Sequence, residues 1–204
     1  QLMPWFNLAD EDLQTVRVFL KSQTGHHVPH AYTAHDRWTD PIVKGQRLVQ
    51  YYNCTGCHVI EGTGGDIRSL YAEEPASAPP ILTGEGAKVQ ADWFYGFLKQ
   101  PSPIRPWLAL RMPSFHFNDE EAGGIVDYFN SLSEIAVPYN HFDSSQTSLE
   151  MVHAGDTLMS NDYFACFSCH QQGDKKPEGP PAGWAPDLAM AKDRLNPDWV
   201  VDWI

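Results

Sequence analysis

The chain has 204 residues and a mass of 23.0 kDa, enough for one or two small domains that each bury a core. Fourteen Lys and Arg against 26 Asp and Glu leave a net charge of −12, which repels nucleic acid and anionic lipid and favours basic partners. A composition of 42% hydrophobic and 20% charged residues with 15 Gly, 16 Pro and 7 Trp excludes fibrous and low-complexity classes, and no apolar run reaches the roughly 18 residues of a membrane span.

The opening Gln1-Leu2-Met3-Pro4-Trp5 has neither an initiator Met nor the regions of a signal peptide, so the ends are expected to be cuts within a longer chain. Residues 1–25 are predicted to form a loop and an amphipathic helix, with Val16, Phe19 and Leu20 apolar and Gly25 a stop. Residues 26–40 form a linker carrying His26, His27, His30 and His35; a metal or bis-His site competes with a solvated loop, and the loop is favoured because no Cys or carboxylate sits among them at regular ligand spacing. A first complete domain is expected over 41–136. Within it, Ala76–Leu82 reads as extended around Pro79 and Pro80, and a helix near Asp92 carries Trp93, Phe94 and Phe97 as a packing face. Asn118-Asp119-Glu120-Glu121 starts a further helix on which Ile125, Tyr128, Phe129 and Leu132 share one apolar face. Residues 137–147 read as a linker. A second domain over 148–204 opens with Leu149, Val152, Leu158 and Met159, continues through an exposed loop from Gln171 to Gly183, and repeats the aromatic helix with Trp199, Val200 and Trp203.

All four cysteines lie in two copies of one pentapeptide, Cys54-Thr55-Gly56-Cys57-His58 and Cys166-Phe167-Ser168-Cys169-His170. Composition alone predicts about 0.003 such copies, so C-x-x-C-H twice is a strong signal for covalent haem attachment. On a helical turn, sulfurs three residues apart reach the two vinyl groups along one porphyrin edge, and the adjoining His is directed under the ring to ligate iron. The competing readings are a disulfide in each pair, a redox dithiol, or a zinc site built from both pairs; none of them requires His58 and His170. Two covalent haem c groups are therefore expected, bound by Cys54, Cys57 and His58 and by Cys166, Cys169 and His170.

The chain here resembles the class I cytochrome c family, as a multihaem member made of tandem monohaem domains. The resemblance implies an all-α fold in which each domain is a small helical bundle wrapped around its attached haem. Gly45–Asn53 fits the helix before the first pentapeptide, and Arg111-Met112-Pro113-Ser114-Phe115 fits the distal loop, making Met112 the sixth ligand of the first iron. The family also places a Pro carbonyl against the proximal imidazole, here Pro79 or Pro80 and, in the second domain, Pro186. Arg105 and Arg111 read equally as partners of haem propionates or as solvated loop charges.

The pattern repeats in pieces. A shift of 109 residues lays Met3-Pro4-Trp5-Phe6 on Met112-Pro113-Ser114-Phe115, so residues 1–25 read as the tail of a preceding cytochrome c-like unit. A shift of 106 lays Pro186 on Pro80, Leu188 on Leu82 and Asp198-Trp199 on Asp92-Trp93, and the counterpart of Met112 would fall about 14 residues beyond Ile204. Three sources for the second sixth ligand follow: downstream chain, an internal substitute such as Met190, Met159 or His153, or Met3 serving a neighbouring or swapped haem.

With both axial positions filled, iron exchanges electrons and offers no substrate site. The resemblance thus implies electron transfer between redox partners of a respiratory or related chain, not an enzyme. Other redox proteins with basic docking patches suit the acidic surface. A dihaem peroxidase-like enzyme with one open haem site is the alternative, and a gas-sensing module a third. Covalent haem assembly implies a periplasmic or extracytoplasmic location.

Overall fold

The computed structural model describes residues 9–24, 41–134 and 147–204. The expectations for Met3, Gly25, the four linker histidines and most of 137–147 lie outside the described residues. What is described is mainly helical, as expected: α1 (Asp10–Thr24), α2 (Pro41–Tyr51), α3 (Cys54–Cys57), α4 (Glu85–Lys88), α5 (Ala91–Lys99), α6 (Asp119–Leu132), α7 (Leu149–Met159), α8 (Ala191–Arg194) and α9 (Pro197–Trp203). α2 starts four residues before the expected Gly45, because Pro41 at its first position has the backbone angle of a helix already set.

One exception to the all-α expectation is a two-residue antiparallel hairpin, β1 (Val59–Ile60) and β2 (Thr63–Gly64). Its loop, Glu61-Gly62, has positive φ at both residues (49° and 74°), the geometry that matches the twist of a tight hairpin. The Tyr128 hydroxyl donates to the Glu61 carboxylate at 2.6 Å, tying the turn to α6. Ala76–Leu82 is extended only from Ala78: Pro75–Ser77 form a 3-10 turn, since Pro restrains its own φ to a value that a helical turn also accepts.

The core lies within residues 49–129 and is built around α6, whose inward face is Ala122, Ile125, Val126, Tyr128 and Phe129. Val49 of α2, Phe94 and Leu98 of α5, and Phe117 pack against that face. α2 crosses α6 at Gly45, where a Cβ would overlap the Gly124 carbonyl oxygen and lie 2.7 Å from the Tyr128 Cβ. Backbone-to-backbone approach at this crossing requires glycine. A capping box begins α6: the Asn118 side chain accepts the Glu121 N–H at 2.9 Å, and the Glu121 carboxylate accepts the Asn118 N–H at 3.0 Å.

The helices at the two ends differ. In α1, Val16, Phe19 and Leu20 are exposed, and in α7 so are Leu149 and Val152. Trp93 and Phe97 stack at 5.0 Å while Phe94 turns into the core, so the predicted packing face is real in α5. In α9 it is only partly so: Trp199 stacks on Trp203 at 5.6 Å, but Trp203 remains 71% exposed. No element among the described residues covers it as α6 covers α5.

Candidate functional site

Both pentapeptides make a single helical turn, an α turn over Cys54–Cys57 and a 3-10 turn over Cys166–Ser168. Each is entered by a residue in the left-handed region, Asn53 (φ 52°) and Ala165 (φ 54°). Each then closes one helical bond, from His58 N–H to the Cys54 carbonyl at 2.8 Å and from His170 N–H to the Cys166 carbonyl at 2.9 Å. This single turn is what brings two thiols three residues apart onto one side. All four thiols are unpaired, and among the described residues no three His, Cys, Asp or Glu side chains gather at one point, so the two Cys pairs lie at separate sites.

The histidines are oriented identically. The Nδ1–H of His58 donates to the Pro80 carbonyl at 2.8 Å, and that of His170 to the Pro186 carbonyl at 2.7 Å. A carbonyl can only accept, so each bond places the ring proton on Nδ1 and leaves the Nε2 lone pair free to ligate. Pro80 and Pro186 are thus the acceptors, while Pro79 receives the guanidinium of Arg68 instead. The loop is tied back in both places by one further bond, Leu82 N–H to Val59 at 3.0 Å and Leu188 N–H to Gln171 at 2.7 Å. Burial pushes the His58 imidazole below its ordinary pKa and the Cys54 thiol up to about 11, favouring the neutral ring that a metal requires.

Met112 is half-buried and packs against the core beside Phe115, with Tyr52 edge-on to Phe115 at 5.4 Å. Its loop is held by Arg111, which donates to the carbonyls of Pro106, Leu108 and Leu110. Arg105 likewise donates to Ala76 and Ala78. These arginines, read from the sequence as propionate partners or solvated charges, are backbone clamps in the structure. Of the substitutes for the second site, Met159 ends α7, Met190 precedes α8, and His153 is exposed on α7. A groove of about 740 Å³ between α2 and α6 is lined by Lys44, Arg47, Tyr51 and residues of the α6 start, and by none of the cysteines, His58 or Met112.

These residues fit a covalently held haem. Two thiols and a neutral imidazole fixed from behind are the donors the first pentapeptide brings together, and Met112 is a thioether on the packed loop that follows α5. At the second site, the Trp184 indole N–H is buried without a partner two residues before Pro186, and a carboxylate of such a group would be a fitting acceptor. Sequence reasoning missed Arg68, Trp184, and the pairing of Tyr52 with Glu121 at 2.9 Å. For Tyr52 the signal was present, an aromatic two residues before the first Cys.

Compared with known families, residues 42–133 match the family model described as Cytochrome c. Searches of curated proteins and of solved structures find no match.

Proposed function

We propose that this chain is part of a c-type cytochrome that carries single electrons, with one haem c held at Cys54, Cys57 and His58 and a second at Cys166, Cys169 and His170. The likeness of residues 42–133 to Cytochrome c supports electron transfer and covalently bound haem. The observation that carries the two-site reading is the duplicated His–Pro bond, 2.8 Å in one place and 2.7 Å in the other, which gives two imidazoles the same tautomer and the same free Nε2.

When bound, the group supplies an iron that exchanges one electron. The chain does the rest. Thiols of Cys54 and Cys57 would hold it in place, His58 Nε2 would be free to ligate its iron, and Met112 on its clamped loop would supply a second ligand that keeps substrate and oxygen away. Apolar burial and a thioether both disfavour ferric charge, so the first site has a comparatively high potential. In this reading the two sites belong to tandem domains, 41–136 and 148–204, with residues 1–25 closing a preceding unit and Met3 available to an iron there or to a swapped one. A charge of −12 suits partner redox proteins with basic docking patches in a respiratory or related chain, and haem assembly places the chain outside the cytoplasmic membrane.

Expression in a host that matures such proteins tests this. The intact mass should exceed that of the polypeptide by two haem groups, and carbon monoxide should leave the reduced spectrum of the first site unchanged. A mass equal to the bare polypeptide, or a carbon monoxide adduct at a site still carrying Met112, would overturn it.

A further inference from the structure

Far from either pentapeptide in sequence, the two segments meet in a seam that repeats itself across a local two-fold. Val89 and Leu195, 106 residues apart, form an isolated antiparallel bridge. The Gln90 N–H donates to the Arg194 carbonyl at 2.8 Å, and the Asn196 N–H, at the position equivalent to Gln90, donates to the Lys88 carbonyl at 2.9 Å. Side chains repeat the exchange. Gln90 Nε2 donates to the carbonyls of Leu195 (2.8 Å) and Lys192 (2.7 Å), and Asn196 Nδ2 to those of Val89 (3.0 Å) and Ala87 (2.7 Å). Cations and rings do the same: Lys88 lies over Trp199 at 5.7 Å, and its equivalent Arg194 over Trp93 at 5.1 Å. Arg194 also lies 3.7 Å from the buried Glu85 carboxylate, a partner that Lys88 approaches from the other side at 3.2 Å.

Each proximal carbonyl, Pro80 and Pro186, stands the same number of residues before its bridge residue, Val89 or Leu195. Each histidine loop thus connects to the seam through the same length of chain. Trp107 and Trp184, edge-on at 6.0 Å, join the Met112 loop side of one segment to the Pro186 side of the other.

Resting on the two-site reading above, we propose that this seam makes one rigid body of the two sites, with Gln90 and Asn196 as positioning residues, so that an electron passes between the sites within the molecule. In that step the ferrous iron of one site becomes ferric and the ferric iron of the other becomes ferrous, with no proton moved. Electron exchange falls exponentially with separation, so a fixed distance yields a single first-order rate, whereas a loose tether yields a spread of rates.

The test uses the intact two-haem protein, reduced at one site by a flash-excited ruthenium(II) tris-bipyridyl donor that is oxidised to ruthenium(III). Equilibration between the sites should be first-order and independent of protein concentration, and the backbone amides of residues 90 and 196 should be protected from hydrogen exchange. In the Gln90→Ala/Asn196→Ala variant, both amides should exchange about tenfold faster and equilibration should slow by about tenfold, with both visible spectra unchanged. Should that variant lose its spectrum, Asn196→Ala alone should give about a threefold slowing of the same rate. Rates untouched by these substitutions, or equilibration that scales with concentration in the unaltered protein, would overturn the proposal while leaving two haems per chain standing. Fewer than two haems by mass would instead remove the reading beneath it.

Discussion

Glu121 shows how one residue serves both helix and site: one oxygen closes the α6 cap and the other accepts the Tyr52 hydroxyl at 2.9 Å, just before Cys54. Tyr52 is correspondingly raised above an ordinary phenol, because its proton is held in the hydrogen bond to Glu121, with burial and the carboxylate charge adding to the effect. Its neighbour Asp119 is held below the usual carboxylate value of 3.8 by Lys99 at 2.8 Å and Tyr95 at 2.7 Å. A carboxylate whose folded pKa is depressed stabilises above its unfolded value and loses that contribution as pH falls through the folded one. Asp119→Asn should therefore lower the thermal midpoint at neutral pH, and the gap to the parent should close as pH falls below the ordinary carboxylate value; a constant gap would mean that charge plays no part. At the site itself, Met112→Ala should alter the visible spectrum of the first haem and lower its potential. An unchanged spectrum and potential would exclude Met112 from the coordination. Met112 was offered by the resemblance of its loop alone, whereas the C-x-x-C-H residues were legible because their chemistry needs particular atoms at particular spacings. Arg68, Arg105 and Arg111 were not, since the acceptors they clamp are backbone carbonyls, which every residue carries.

Among the elements, α2 and α7 make a natural comparison, since each leads into a pentapeptide and each contains one interior glycine, Gly45 or Gly155. A Cβ at Gly45 would collide with α6, whereas one at Gly155 meets nothing within 4 Å. Gly45→Ala should cost about 1–3 kcal/mol in chemical denaturation through overpacking, and Gly155→Ala should be neutral or stabilise by about 0.5–1 kcal/mol through helix propensity. Equal losses at both would show that α7 is covered as α2 is. Replacing the α6 cap with Asn118→Ala should cost about 1 kcal/mol in the same assay. The start and inward face of α6 were readable from Asn118-Asp119-Glu120-Glu121 and the spacing of Ile125, Tyr128 and Phe129. The β1/β2 hairpin was not, because only two residues pair on each side and Glu61 is an unusual occupant of its turn.

For the whole molecule, every buried hydrophobic among the described residues falls between Val49 and Phe129, while α1 and α7 keep apolar side chains in water. Local opening free energies should follow that division, so amides of α2 and α6 should exchange slowest and those of α1 and α7 fastest; uniform protection would mean that the outer helices are packed. Sequence alone determined what is local in the chain: two thiol pairs each followed by a histidine, the periodic faces of the longer helices, and the acidic balance, because covalent reach, helical period and charge are properties of residue type and spacing. Only the tertiary structure decided that Pro80 and not Pro79 accepts from the first imidazole, and that Val89 meets Leu195 with reciprocal bonds on either side. Those choices are made by backbone N–H and C=O groups that all residues share, and which of them pair is settled only when packing brings distant segments to hydrogen-bonding distance.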